Sequence, residues 1–181
     1  AYAKIAYQTA FLKANFPLEF FCSLMNYDIG NFEKISNYCY EIKSLDFQLF
    51  TPDINKSDVF FKVVYNQNNE AIGISYGLSA IKNIGENSVV ELLNERKRNR
   101  KFNSLLDLLQ RVNNKILNKK VLEGLIFSGS LNSIEKNQNF LLKNIDKIIN
   151  FNSSYHKNVL KDQVNLFSDF IDHKQFDSSN Y

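Results

Sequence analysis

Residues 78–93 read LSAIKNIGENSVVELL, and this stretch decides the fold. Two segments with apolar residues at helical spacing flank the tripeptide Asn83-Ile84-Gly85. A tight turn between helices needs left-handed or strained backbone at its corners, which glycine adopts freely and asparagine tolerates better than most residues. The pattern therefore predicts two short helices joined by a tight turn.

Such an arrangement is typical of a helix-hairpin-helix, which holds the backbone of nucleic acids. The first N–H groups of the second helix have no partner within that helix and lie at the positive end of its dipole, so a phosphate binds there without any contact to bases. The alternative is an ordinary helix C-cap followed by the next helix. The predicted phosphate site consists of Lys82, Asn83, Ile84, Gly85, Glu86, Asn87 and Ser88.

The distribution of charge favours the nucleic-acid interpretation. Residues 82–120 carry ten Lys and Arg against four Asp and Glu, a net charge of +6, whereas the whole chain carries +3. A basic face beside a phosphate site is the expected electrostatic footprint of duplex binding. The densest basic run follows the second helix of the hairpin, and its members are Arg96, Lys97, Arg98, Arg100 and Lys101.

Composition places the 181 residues among globular proteins of one or two small domains, with 23% charged and 44% hydrophobic side chains. The sequence has neither an apolar run of the roughly 20 residues that span a bilayer nor a signal-peptide pattern, so we expect a cytoplasmic protein without membrane contact. Cys22 and Cys39 lack CxxC spacing and a nearby His, which favours buried free thiols over a metal site. Catalytic triad patterns, Walker loops and GxGxxG stretches are also absent from the sequence.

Helical periodicity predicts three helices in the first part of the chain, at residues 2–15, 17–27 and 32–45. Pro17 suits the first turn of the second helix, and Asn31 suits the N-cap of the third. The third helix carries apolar residues on one stripe. We therefore expect the three helices to pack as a small bundle.

A change of period after this bundle predicts β structure. Residues 59–65 and 71–76 are rich in β-branched and aromatic side chains and flank a polar loop, which predicts an antiparallel hairpin. Asp53, Asp58 and Glu70 border this hairpin and offer carboxylates to a divalent metal. Loop carboxylates are usually solvated, so we assign no metal site to them.

A second helix-turn-helix unit follows the basic run. Asn118 suits the N-cap of a helix at residues 119–127, and residues 138–149 return to helical spacing. The chain becomes polar after residue 150, where we expect a flexible tail. The predicted fold class is therefore mainly α with a small β-hairpin. The second unit contributes Lys119, Lys120, Ser128 and Gly129 to the predicted DNA-binding residues.

Five sequence blocks occur in an order and spacing that resemble one family, the bacterial DNA polymerase III alpha subunit, a C-family replicative polymerase. The resemblance covers almost the whole chain. The blocks are Ala1-Tyr2-Ala3 with Ala6-Tyr7-Gln8-Thr9-Ala10 and Leu12-Lys13, Phe16-Pro17 with Glu19-Phe20, Pro52-Asp53-Ile54-Asn55, Tyr76-Gly77-Leu78 with Ala80-Ile81-Lys82 and Ile84-Gly85-Glu86, and Asn118-Lys119-Lys120-Val121-Leu122-Glu123 with Leu125-Ile126 and Gly129.

The resemblance implies an internal fragment with three parts. Residues 1–75 are the C-terminal part of a fingers domain, residues 76–150 a tandem helix-hairpin-helix module that binds duplex DNA, and residues 151–181 a flexible tail. The parent protein is implied to be a DNA-directed DNA polymerase, a nucleotidyltransferase that uses Mg²⁺ and works with other replicase subunits. Its metal-binding aspartates belong to a palm domain outside this chain, so we assign no catalytic residue or cofactor here and expect the fragment to be inactive.

One departure from the family pattern concerns the hairpin. Asn83 stands where the family has a glycine. Because asparagine adopts positive φ at modest cost, we expect the hairpin to keep its geometry.

The polar tail contains Gln163-Val164-Asn165-Leu166-Phe167, which looks like the sliding-clamp-binding motif of the same family. There Leu166 and Phe167 would enter an apolar pocket on the clamp, and Gln163 would fix the register by hydrogen bonds. The alternative is that the apolar residues of the tail fold back on the core.

Two other functions remain open at this point. The chain is also compatible with a stand-alone helix-hairpin-helix adaptor for DNA repair or recombination, or with a purely structural helical module. The fragment interpretation predicts an unusually apolar exposed surface on residues 1–55, because that region would pack against a larger body.

Overall fold

The computed structural model describes residues 2–159. Within this range helices and strands follow one another, with a 3₁₀ turn at Leu78–Ala80. The helices are α1 (Tyr2–Asn15), α2 (Pro17–Tyr27), α3 (Phe32–Ser44), α4 (Glu86–Asn99), α5 (Leu105–Arg111), α6 (Lys119–Phe127), α7 (Gln138–Lys143) and α8 (Ile145–Val159). The strands are β1 (Gln48–Phe50), β2 (Lys62–Tyr65) and β3 (Ala71–Ser75).

Helices α2 and α3 pack together on the sheet and form the first of two hydrophobic cores. Phe21 and Met25 of α2 meet Ile42 of α3 in this core, and Phe61 and Ile74 join them from the sheet region. The predicted caps are confirmed. Pro17 lies in the first turn of α2, and the Asn31 side chain accepts a hydrogen bond from the backbone N–H of Lys34.

Helix α1 does not join this core, so the predicted three-helix bundle is wrong. None of its residues is buried, because its apolar side chains are spread around the helix and form no single stripe. The apolar surface expected on residues 1–55 is present. It is formed by the exposed side chains of Tyr2, Ile5, Tyr7, Phe11, Leu12 and Phe16.

The sheet has three strands in the order β1-β3-β2. Strands β2 and β3 form the predicted antiparallel hairpin, whereas β1 pairs with β3 in parallel and was not expected. Gly73 permits this pairing, because a Cβ atom there would lie 2.0 Å from the carbonyl oxygen of Gln48. The three residues of β1 are too few to show a period in the sequence.

The second core extends from the 3₁₀ turn to α8. Leu92 of α4, Leu108 of α5, Leu122 and Leu125 of α6 and Ile148 of α8 are fully or almost fully buried in it. Ile54, which precedes the sheet hairpin, also belongs to this core. Ser104 and Asn118 cap α5 and α6 through hydrogen bonds to backbone N–H groups. None of the helices within residues 2–159 is long and apolar enough to cross a membrane.

The end of the described chain differs from its prediction in two ways. The helix predicted at residues 138–149 is interrupted at Asn144, whose side-chain amide and backbone N–H both donate to the carbonyl of Phe140. Helix α8 then continues to Val159, so the flexible tail predicted from residue 151 onwards is wrong for residues 151–159. Residues 160–181 lie outside the described part of the chain.

Asn152 explains why α8 continues through a polar stretch. Its side chain is fully buried, and its amide donates to the carbonyls of Leu109 and Val112, both at 2.7 Å. These carbonyls lie at the C-terminal end of α5, where the helix supplies no N–H partner. A polar residue such as Asn152 is expected at the surface from the sequence, but here it is buried and caps the C-terminal end of α5.

We expect Asn152→Ala to lower the free energy of unfolding by about 2–4 kcal/mol, because two buried carbonyls lose their donors. Urea denaturation followed by circular dichroism measures this change. The exposed neighbour Asn150 provides the control, since Asn150→Ala should shift stability by no more than about 0.5 kcal/mol. Equal stability of the two variants would show that α8 does not cap α5.

Candidate nucleic-acid interface

The hairpin turn places its left-handed residue at Asn83, with φ of 68°. This confirms the expectation that asparagine adopts positive φ at this position of the turn. Gly85 behaves differently, with φ of −77° and ψ of 146°, a conformation open to any residue. A Cβ atom at Gly85 would meet no atom within 4 Å. The expectation that this glycine supplies strained backbone is therefore wrong.

The helix that enters the hairpin is a single 3₁₀ turn at Leu78–Ala80, shorter than predicted. It is fixed by the strand region: the Leu78 N–H donates to the Asp58 carbonyl at 3.0 Å, and the Ser79 hydroxyl donates to the Val59 carbonyl at 2.7 Å. Leu78 and Ala80 are buried. These hydrogen bonds to the segment before β2 therefore hold the start of the hairpin in place, which a longer first helix would otherwise do.

The N-terminus of α4 is open to solvent. The first intrahelical hydrogen bond runs from the Val89 N–H to the Gly85 carbonyl, so the N–H groups of Glu86, Asn87 and Ser88 precede it. Gly85 has no side chain that caps them, and Glu86 and Asn87 are exposed. By contrast, a side chain accepts from the first turn of α3, α5, α6 and α7, namely that of Asn31, Ser104, Asn118 and Asn137.

The hairpin is packed directly on α6. A Cβ atom at Gly124 would lie 2.9 Å from the carbonyl oxygen of Lys82 and 3.0 Å from Cγ1 of Ile84, so only glycine allows this approach. Ile84 is buried at the contact, whereas Lys82 and Asn83 remain exposed. The buried middle residue thus anchors the turn while its neighbours face solvent.

The second turn lies at the C-terminal end of α6. Gly129 has φ of 74°, and the hydroxyls of Ser128 and Ser130 are hydrogen-bonded at 2.7 Å. Ser128 lines the same cavity as Lys82 and Asn83, so the two predicted units place their turns side by side. The structure brings together these parts of the predicted DNA-binding set.

The basic run lies at the other end of α4. Fourteen residues of α-helix measure about 20 Å, which separates the open N-terminus from Lys97, Arg98, Arg100 and Lys101. The basic run, which the sequence places beside the hairpin, therefore lies at the opposite end of α4, and its predicted DNA contact stays a prediction. Basic side chains at this end also stabilise the negative end of the helix dipole.

Arg96 differs from the exposed basic residues that follow it, and its predicted DNA contact stays a prediction. Its guanidinium donates to the carbonyl of Ile54 at 2.8 Å and is half-buried, and this burial lowers its pKa. The Ile54 side chain lies in the second core. Arg96 therefore connects α4 to the segment before the sheet hairpin.

Two further basic residues are neutralised by neighbours. Arg111 pairs with Glu95 at 2.9 Å and with Asp107 at 3.1 Å, and it lies over the ring of Phe102. Lys119 pairs with Asp146 at 2.6 Å. The net charge counted along the sequence thus overstates the charge available to a ligand. Lys97, Arg98, Arg100, Lys101 and Lys120 are exposed, and none of them forms an ion pair within residues 2–159.

The residues considered for a metal or a reactive thiol take structural positions. Oδ1 of Asp53 accepts from the Asn55 N–H and the Ser133 hydroxyl. Within residues 2–159, His, Cys, Asp and Glu do not gather into groups of three or more that could hold a metal ion. Cys22 is a buried free thiol and Cys39 a half-buried one, and burial raises the pKa of both.

A family model described as the helix-hairpin-helix motif matches residues 46–141. The chain belongs to this family. The matched region starts before β1 and crosses the predicted boundary between residues 75 and 76, in keeping with Ile54 in the core of the helix-hairpin-helix unit. The division into three parts stays a prediction.

Curated relatives confirm the resemblance to the DNA polymerase III alpha subunit. The chain is 40% identical to that subunit of Borreliella burgdorferi over 92% of its own length and 14% of the relative. It is 43% identical to the subunit of Buchnera aphidicola over 83% of its length and 12% of the relative. For Bacillus subtilis the identity is 38% over 93% of this chain and 14% of the relative. The chain spans about one seventh of these curated relatives.

We expect Arg96→Ala and Lys97→Ala to act differently although the residues are adjacent. Arg96→Ala should lower the free energy of unfolding by about 1.5–3 kcal/mol, because a buried carbonyl loses a charged donor. Lys97→Ala should change it by no more than about 0.5 kcal/mol. Thermal and urea unfolding compare the two, and equal stability would contradict the role assigned to Arg96.

Proposed function

We propose that this chain binds duplex DNA through its phosphate backbone, without reading sequence, as a segment of a replicative DNA polymerase III alpha subunit. The helix-hairpin-helix match and the named relatives support this proposal. The parent protein would be a DNA-directed DNA polymerase that uses Mg²⁺ and assembles with other replicase subunits. This segment would bind the duplex. The groups that catalyse nucleotide transfer would belong to other parts of the parent protein.

The observation that carries the proposal is the uncapped N-terminus of α4 beside the hairpin turn. The N–H groups of Glu86, Asn87 and Ser88 point out of the first turn, where the helix dipole is positive. A phosphate oxygen accepts hydrogen bonds there, and the exposed ammonium of Lys82 adds charge. Because these contacts reach only the backbone, every base sequence binds alike.

The exposed basic residues at the far end of α4 would act as a second contact. Lys97 and Arg98 lie in the last turn of α4, about 17 Å along the helix from its first residue, and Lys101 follows the helix. Phosphates of one strand follow one another about every 3.4 Å along the duplex axis, so both contacts can reach the same molecule several base pairs apart. Two separated contacts fix the direction of the duplex, which a single contact does not.

The stand-alone adaptor is the alternative function. The exposed apolar side chains of α1 argue against it, because monomeric soluble proteins rarely leave so many large apolar side chains of one helix exposed. Packing against a larger body, as in a polymerase, explains their exposure better. A purely structural module explains neither the open helix N-terminus nor the exposed basic residues.

We expect Gly85→Ser to weaken duplex binding about tenfold without loss of stability. Its hydroxyl would cap α4 and compete with phosphate for the open N–H groups. Gly85→Ala is the matched control, since it adds a Cβ where nothing lies within 4 Å but adds no acceptor. Fluorescence anisotropy with a labelled duplex measures both variants, and equal affinities would contradict the phosphate site.

Duplex affinity should also fall steeply between 50 and 200 mM salt, by roughly 0.9 log units per log unit of salt for each phosphate neutralised. Replacing Lys97, Arg98 and Lys101 by Ala should reduce this slope on all sequences alike. Titrations with two unrelated duplexes at several salt concentrations test this. An affinity independent of salt would refute the backbone contact.

We also propose that Gln163, Leu166 and Phe167, which lie outside the described residues, bind the sliding clamp. The support is the sequence of this segment and its position after the helix-hairpin-helix region. An apolar pair in an extended peptide fits a pocket, and tethering converts weak affinity into processivity.

Leu166→Ala combined with Phe167→Ala should abolish capture of the chain by the immobilised sliding clamp and leave duplex binding unchanged. The apolar contacts with the clamp would be lost, whereas the hairpin is untouched. Ser178→Ala in the same tail serves as the control and should be retained like the original chain. Equal retention of the double variant would exclude this motif.

A further inference from the structure

An open cavity of about 480 Å³ lies where the two hairpin turns meet α3. Its volume falls within the range of roughly 300–1,000 Å³ that ligand pockets occupy. Phe32 at the start of α3 and Phe127 at the end of α6 both line it. Phe32 is 47% exposed and Phe127 72% exposed, so neither side chain is buried in the core of the protein.

The polar groups around this cavity have mixed character. Lys82 and Asn83 of the first turn line it, together with Glu123 of α6 and Ser128 directly after that helix. A carboxylate repels a phosphate but accepts hydrogen bonds from the exocyclic amine of a base. The ammonium of Lys82, by contrast, attracts the phosphate that would flank such a base. This combination of groups suits a nucleotide whose base enters the cavity and whose phosphate stays outside it, near Lys82.

We propose that the cavity receives one unpaired nucleobase of a DNA strand whose backbone the hairpin holds. The aromatic rings of Phe32 and Phe127 provide stacking surfaces, which accept any base because every base has a π-face. Glu123 favours bases with an exocyclic amine, so cytosine binds better than thymine. This inference rests on the proposed function, because the hairpin delivers the strand.

An apolar side chain of a partner protein is the competing occupant. Two observations favour the base. The cavity shares Lys82 and Asn83 with the turn that precedes the open N-terminus of α4, so a bound strand passes beside it. Its rim also carries an ammonium and a carboxylate, which an apolar side chain would leave without partners.

The test compares three labelled DNAs in anisotropy titrations with the whole chain. The first is a blunt duplex, the second has one unpaired cytidine at its end, and the third has an abasic nucleotide in that place. The third carries the same phosphates as the second and lacks only the base. We expect the unpaired cytidine to tighten binding about tenfold over the abasic end, with the 5′ and 3′ ends tested separately.

Two variants assign this difference to the cavity. Phe127→Ala should remove the difference between cytidine and the abasic end, whereas Phe11→Ala on α1, which removes an exposed ring elsewhere, should keep it. Glu123→Gln should reduce the preference for cytidine over thymidine. Phe127 is largely exposed, so its loss leaves the fold intact.

The outcomes separate this inference from the proposed function. If all three DNAs bind with equal, salt-dependent affinity at both ends, the base site is refuted and the backbone contact stands, leaving a protein side chain as the occupant. If no duplex binds, both fail. A tenfold difference that Phe127→Ala leaves unchanged would likewise overturn the cavity as the site of the base.

Discussion

The close contact between Gly124 and the hairpin is the constraint on which the rest of the interface depends. The backbone of Lys82 approaches α6 so closely that a side chain at Gly124 would collide with it. This approach buries Ile84 and turns its two neighbours in the hairpin toward solvent. It also sets the first turn beside the second, which creates the cavity between them. A hairpin held less closely would leave the N–H groups of the proposed phosphate site without a fixed direction.

The charges of this protein divide into those that hold the fold and those that remain available. Arg96 and Arg111 serve the fold, since one donates to a backbone carbonyl and the other joins two carboxylates. The exposed basic residues at the end of α4 remain free for a ligand, but they lie a helix length from the hairpin. The proposed interface therefore consists of two separate contacts at opposite ends of α4.

Several features were predictable because their causes are local. The caps at Asn31 and Asn118 and the extent of α6 follow from neighbours in sequence. The left-handed conformation of Asn83 follows from the demand of the turn itself. Other features escaped prediction because their partners are distant. Strand β1 is defined by its pairing with β3, and Asn152 in the middle of α8 donates to two carbonyls about 40 positions earlier.

The sequence by itself determined the family, the helical class and the position of the hairpin, because each motif and each cap consists of residues that are close together in the sequence. Tertiary structure alone decided which charges are available and where α1 lies. A basic side chain looks the same in the sequence whether it faces solvent or a buried carbonyl, and only packing distinguishes them. Spacing along the chain likewise predicted a basic face beside the hairpin, whereas the length of α4 separates the two in space.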